Sequence, residues 1–265
     1  MGVNKKNSNK NNILLFLLLV SLLTNCNKKH PQPLGPGIVL TVDKPPDTWE
    51  HLQAFLKENN AKLTFYIENY TTISDSTKEI MKSFMLDGHE MAHHSLTHAH
   101  ADDYSEKNGI ENYIKDEIIP VTDAMKKDGF NPETYAYPHG DCTSETDEAL
   151  LKYFINIRKI IAPYLNKKIC DLDQIYLRHG NVKVFFAAGI DARYKVNLEE
   201  IFDALEKAKS SRQTVSLYTH FLSKDGKPLE SSNSHIAEED FIKIIKKANE
   251  LGLKFYTAKD IGQSR

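Results

Sequence analysis

The stretch HEMAHHSLTHAH, residues 89–100, holds five of the chain's eleven histidines. Within it His94 and His98 stand four apart. On a helical turn that spacing puts both imidazoles on one face, near enough to share a metal ion. Neutral imidazole suits zinc and similar borderline metals. The same spacing is equally that of two solvated loop side chains, so the ligand reading needs partners from elsewhere. Three polar endings offer them: Asp43 closes the run at 38–42, Pro138-His139-Gly140 follows the run at 134–137, and His220 follows the run at 215–218. A carboxylate at such a site is suited to take a proton from water, and an imidazole across from it to hand one to a leaving group. His89 reads as the start of a strand, His93 as a neighbour of the ligand pair and His100 as a solvated side chain.

The elements that must position these groups alternate. Ile38 to Val42, Leu63 to Ile67, Thr134 to Tyr137, Val182 to Ala187, Val215 to Tyr218 and Leu253 to Tyr256 are short β-branched or aromatic runs, read as strands. Helical spacing spans Thr48 to Glu58, Ser74 to Leu86, Tyr104 to Lys127, Leu198 to Lys209 and Glu238 to Leu251. Strands separated by helices imply parallel pairing through right-handed crossovers. In a parallel barrel the C-terminal strand ends share one face, where reacting groups collect. The polar endings at 43, 94, 138–140 and 220 would all meet there.

The chain opens differently. Lys5, Lys6 and Lys10 precede the apolar run Ile13 to Leu23, and LTNC ends at Cys26. The run is too short for a bilayer, which takes about 20 residues; a positive segment followed by a short apolar one has the form of an export signal. Its ending resembles the lipobox of bacterial lipoproteins, with Asn25 in place of the usual Gly or Ala. The resemblance implies a signal peptide over 1–25, lipid on Cys26 and an exported, membrane-anchored protein. Residues 26–36, NKKHPQPLGP with its leading cysteine, read as a tether. Loss of the three lysines would take the formal charge from −2 to −5. No basic field argues for nucleic acid, and the lipid would do the anchoring. Export also permits a disulfide between Cys142 and Cys170.

In order, LTVD at 40–43, LTFYI at 63–67, DGHEMAHHSLTH at 87–98, YAYPHG at 135–140, LYTH at 217–220 and GLKFYTAKDI at 252–261 resemble the polysaccharide deacetylase family, also called the NodB-homology or carbohydrate esterase family 4 group. The resemblance spans roughly 37–260 and is weakest between 141 and 213. It implies one domain over 37–265, an α/β fold built as a distorted (β/α)7-type barrel, and a monomer. It implies a hydrolase that uses a divalent metal, usually zinc, to remove acetyl groups from a glycan. Asp43 matches the family's general base, His94 and His98 its histidine ligands, and His220 its general acid. Asp191 matches, loosely, an acidic residue that positions that acid. Tyr137 and His139 fall on the motif that lines the substrate groove, with the Tyr137 backbone near the oxyanion.

Three positions depart from the pattern, one of them His139, which replaces the groove motif's Tyr. Lys44 stands where the family has a metal-binding Asp, and Ala136 where it has an Arg that orients the base. Two unit charges about 4 Å apart repel by roughly 4 kcal/mol at an effective dielectric near 20, worth about three decades of metal affinity. Three outcomes follow. Lys44 points away while Asp47, His93, His139 or Asp141 completes the site; or its ammonium replaces the metal in a metal-free C–N hydrolase; or the protein is a catalytically impaired, glycan-binding lipoprotein.

Overall fold

The computed structural model describes residues 1–2, 34–161, 167–224 and 233–263. The signal peptide expected over 1–25, the lipidation site Cys26 and most of the tether lie outside the described residues. The end of that tether behaves otherwise than expected: Leu34 is buried and donates its N–H to Arg178 O at 3.2 Å, and Gly35 N–H reaches Tyr256 Oη at 3.2 Å. Residues 34–36 thus belong to the domain. No helix among the described residues is long and apolar enough to cross a membrane.

The strands are β1 (Gly37–Val42), β2 (Leu63–Ile67), β3 (Glu90–His93), β4 (Thr134–Ala136), β5 (Asn156–Ile161), β6 (Tyr176–Leu177), β7 (Val184–Gly189), β8 (Thr214–Thr219), β9 (Phe221–Ser223), β10 (His235–Ala237) and β11 (Lys254–Tyr256). Seven of them, β1-β2-β3-β4-β5-β7-β8, run parallel in that order. Pairing of β1 with β8 along six residues, Gly37↔Thr214 to Val42↔Thr219, closes the ring. This is the (β/α)7-type barrel expected from the sequence. On its other side β1 is shared: β11 pairs with Gly37–Val39 and β2 with Leu40–Val42. β9 and β10 form a separate parallel pair beside the barrel's C-terminal mouth.

Helices close the outside by burying one stripe each. Glu238–Glu250 buries Phe241, Ile244, Ile245 and Ala248, and Leu198–Ser210 buries Ile201, Ala204, Leu205 and Ala208, both at helical spacing. The expected helix from Tyr104 to Lys127 is instead broken twice. Gly109, at φ +87°, ends Ala101–Asn108. A π turn, Ile114–Ile118, then precedes Pro120, which has no N–H for the carbonyl four residues back and crowds it with its ring. Strand β5 was not expected at all.

Because strand side chains alternate in direction, parity assigns each residue to the lumen or the outer layer. Val39, Tyr66, Ala92, Ala136 and Phe185 pack together inside the barrel, whereas Ile38, Leu40, Leu63, Phe65 and Met91 face the helices. The lumen floor holds Glu90, whose carboxylate accepts from the Thr64 and Thr134 hydroxyls and the Lys259 N–H. The same parity turns Arg158 inward from within β5 and, carried to the C-terminal strand ends, turns Asp43, Glu68, His94, Asp191 and His220 inward.

Candidate active site

These strand ends border a cavity of about 340 Å³ lined by, among others, Asp43, Lys44, Glu68, His94, His98 and His220. On one wall the Arg158 guanidinium donates from Nη2 to Asp43 Oδ2 at 2.7 Å and from Nη1 to Thr41 Oγ1 at 3.2 Å. Arg158 is fully buried, packed between the Tyr66 and Tyr218 rings at 5.0 and 4.8 Å. Burial pushes the Asp43 carboxyl up, but Arg158, helped by His94 and His220, outweighs it and holds it at about 2. The other oxygen, Asp43 Oδ1, is buried and has no hydrogen-bond partner among the described residues. The substitution at 136 therefore does not leave Asp43 without an arginine, as its sequence position suggested. Ala136 is in register with Arg158 on the next strand, and that strand supplies the guanidinium.

Across the cavity Asp191 is fully buried. One oxygen accepts from Thr219 Oγ1 at 2.6 Å and from the His220 N–H at 3.2 Å; the other meets His220 Nδ1 at 2.7 Å. The loose match of Asp191 thus lands on the imidazole it was matched to. With Nδ1 donating to the carboxylate, Nε2 is the ring nitrogen left for other chemistry.

His94 and His98 do come together, with ring centroids 5.0 Å apart, though not on a helical turn. Ser95 at φ +65° and His98 at φ +60° curl the loop tightly. Glu117, buried in the π turn, ties it down by accepting from Leu96 N, Thr97 N and Thr97 Oγ1 at 3.0, 2.8 and 2.6 Å. A π turn at such a place is a recurrent feature of functional sites. His94 Nδ1 donates to Ala136 O at 2.8 Å, leaving the Nε2 lone pair free to coordinate. Burial lowers the His94 imidazole to about 4 and also lowers that of His98, so both are neutral at physiological pH. Two neutral imidazoles of which one has a fixed tautomer are the donor chemistry a divalent metal needs.

Lys44 lies in the same cavity. Its ammonium pairs with Glu68 Oε1 and stands 5.4 Å from the centre of the Phe221 ring. The other oxygen, Glu68 Oε2, is 3.6 Å from His98 Nε2. Of the side chains considered from sequence as substitutes for the lost carboxylate, Asp47, His93 and Asp141 are not among the residues lining the cavity, whereas His139 is. His93 is buried on the outer face, bonded to Ile118 O and Ser95 N. His139, at φ +57°, lines the cavity and meets His98 Nδ1 through Nε2 at 3.1 Å. His100 is not merely solvated: it stacks on His139 with centroids 3.9 Å apart and pairs with Asp141 at 2.6 Å. Among the described residues, His100, Asp102 and Asp141 are the one group of three such side chains whose donor atoms all lie within 4.8 Å of one another. His94, His98 and Glu68 are not drawn together that closely.

Tyr137 differs from expectation. It borders the cavity, but its hydroxyl turns outward to Thr146 and Asp147, and its N–H is used by Arg158 O at 3.2 Å. Both groups are engaged within the protein: the residue just after β4 continues its outward parity, which turns the ring away, and the ladder to β5 takes the N–H. Cys142 and Cys170 are both free thiols. Arg158, Glu68 and Arg193, which also lines the cavity, were missed from sequence. The first two were within reach of strand parity, had NIRKII at 156–161 been taken as a strand and Glu68 as the inward residue after Leu63–Ile67.

Residues 31–156 match the family model for polysaccharide deacetylase. That span runs through β4 to the first residue of β5. Solved structures of polysaccharide deacetylases and their kin extend the likeness over most of the chain. A chitin deacetylase from the fungal pathogen Colletotrichum lindemuthianum superposes with a TM-score of 0.58 at 16% identity, over 87% of this chain and 89% of its own. A CE4 family pseudoenzyme from Bacillus anthracis gives 0.55 at 14% identity, over 89% of this chain and 67% of its own. A mutant of that pseudoenzyme with restored enzymatic activity gives 0.55 at 14%, over 89% and 70%. At these identities the likeness establishes the polysaccharide deacetylase fold. No curated protein matches the sequence.

Proposed function

We propose that the protein is a hydrolase that removes acetyl groups from an acetylated glycan of the cell envelope or its surroundings, with a divalent metal such as zinc held by His94 and His98. The observation that carries this reading is the pair of polar couples facing one cavity, the buried Asp43–Arg158 and the half-buried His220 on the buried Asp191. Burying charged groups is costly unless each is paired, and binding a neutral sugar would require neither couple.

Each couple suits one half of a hydrolysis. Asp43 is kept ionised by Arg158, and its unpartnered Oδ1 is placed to take the proton of an attacking water. Asp191 fixes the His220 ring so that Nε2 can give a proton to the departing sugar nitrogen or oxygen. Water oxygen bonds to the acetyl carbon, the C–N or C–O bond breaks, and acetate leaves. When bound, the metal would supply Lewis acidity for the acetyl oxygen and the water. The chitin deacetylase with the same fold supports an N-acetylated sugar polymer as substrate.

The test is acetate release from N-acetylated chitooligosaccharides and peptidoglycan fragments, with zinc present and after chelation. Release that needs metal and is lost in His94→Ala and Asp43→Asn is expected; no release from any acetylated glycan would sink the reading. The Lys44–Glu68 ion pair favours a second reading, a glycan-binding protein without turnover. That reading expects binding that His94→Ala leaves unchanged. Release that survives chelation but not Lys44→Ala would instead mean a metal-free hydrolase. Export and anchoring rest on the lipobox-like ending at Cys26: Cys26→Ser is expected to move the protein from the membrane to the soluble fraction.

A further inference from the structure

Asp43 and Lys44 leave the cavity short of the carboxylate that a pair of neutral imidazoles needs to hold a divalent metal, while Glu68 ends the neighbouring strand with the same inward parity. We infer that Glu68 serves as the carboxylate ligand beside His94 and His98, and that Lys44 and the metal compete for it. This inference rests on the metal-assisted reading of the site.

The geometry points to Glu68 on three counts. Its Oε2 lies 3.6 Å from His98 Nε2; two donors bound to one zinc at about 2.0–2.2 Å each stand roughly 3–4 Å apart. Two histidines and one glutamate make a donor set that hydrolytic zinc sites use, with the remaining position open. Glu68 and His98 are also only partly buried, with a quarter and a third of their side-chain surface exposed, so both have room to turn. Asp43 is the poorer ligand. Its Oδ2 is 3.9 Å from His94 Nε2 but already receives Arg158 at 2.7 Å.

Competition follows from the other oxygen. The Lys44 ammonium pairs with Glu68 Oε1, and with that pair in place His94, His98 and Glu68 are not among the groups that converge within 4.8 Å. A metal on Glu68 draws the carboxylate's charge away from Lys44, whose ammonium then stands beside a dication with less to neutralise it. Lys44 is thus a built-in opponent of metal loading, and metal affinity becomes a contest that a single residue can tip.

The experiment is titration of the full chain in detergent micelles with zinc and with cobalt(II), whose visible absorption reports coordination. Glu68→Gln should weaken both metals at least tenfold and change the cobalt spectrum, and Glu68→Asp should fall between it and wild type. Lys44→Met should tighten binding at least tenfold, and the same change in the Glu68→Gln background should tighten it by less. Thermal melts of each variant separate ligand loss from misfolding. Glu68→Gln binding within threefold of wild type, or Lys44→Met failing to tighten, overturns the inference. If Glu68→Gln keeps its metal and its acetate release, the ligand assignment fails and the proposed function stands. If metal follows Glu68 but no acetylated glycan is cleaved, the function fails and the ligand assignment stands.

Discussion

Arg158, from the middle of β5, donates to Asp43 at the end of β1 across the width of the barrel lumen, at 2.7 Å. The guanidinium that Ala136 cannot supply thus reaches the same carboxylate from the adjacent strand. The two positions are register partners, so an arginine side chain from either enters the lumen at about one level.

That relationship predicts rescue. Arg158→Met should strand a buried Asp43 and destabilise the fold by about 3–5 kcal/mol, while acetate release falls and its acid limb moves to higher pH as the Asp43 carboxyl rises. Restoring an arginine at 136 in the Arg158→Met background should recover part of the stability and return the acid limb toward that of wild type. Denaturant melts and pH–rate profiles of the three proteins check this; a double variant no better than Arg158→Met would show that the two positions are not interchangeable.

Asp191 predicts a tautomer effect. In Asp191→Asn the amide no longer favours Nδ1–H on His220, and the ring can present the wrong nitrogen to the cavity. The turnover number should drop by about a hundredfold or more, within the range general acid catalysis contributes, with KM little changed. An equal loss in KM would mean that Asp191 shapes the binding surface instead.

His89 predicts a specific pH dependence of stability. It is buried, its Nδ1 accepts the Leu63 N–H at 3.0 Å, and burial holds the imidazole at about 4, against 6.5 when free. Below pH 6.5 the unfolded chain takes up the proton first, so stability falls as pH drops from 6.5 to 4, by up to roughly 3 kcal/mol; above 6.5 this residue contributes no slope. His89→Asn, which keeps an acceptor for Leu63, should make that limb shallower by this share in chemical melts at pH 4.5 to 7, leaving the share of the buried His93 and His94.

Gly140 predicts a steric limit on the groove wall. It has φ +85°, and a Cβ there would meet Ile160 Cγ1 at 2.3 Å. Gly140→Ala should cost about 1–3 kcal/mol and displace His139 from His98, read as a lower melting temperature and a changed histidine NMR spectrum. An unchanged melt would mean that the turn relaxes freely.

Much of this protein is written locally. Alternating short strands and amphipathic helices dictated parallel α/β pairing, because parallel strands need crossovers and each helix must bury one stripe; that the sheet closes as a barrel came from the resemblance of the ordered motifs to a known family. Asp43, His94, His98 and His220 could be singled out because each sits in or just after a recognisable run, and strand ends of a parallel barrel share a face; Asp191 came only from a loose match to the family. What the sequence could not decide is which side chains from different strands meet. Arg158 and Glu68 lie outside the contiguous motifs: closure of the barrel, through the pairing of β1 with β8 and of β4 with β5, brings Arg158 to Asp43, and the pairing of β2 with β1 and β3 brings Glu68 to Lys44 and His98. The tertiary structure also decided that His94 and His98 meet through a left-handed loop tied to Glu117 and not through a helix, because the hydrogen bonds that set that loop come from a carboxylate some twenty residues further along the chain.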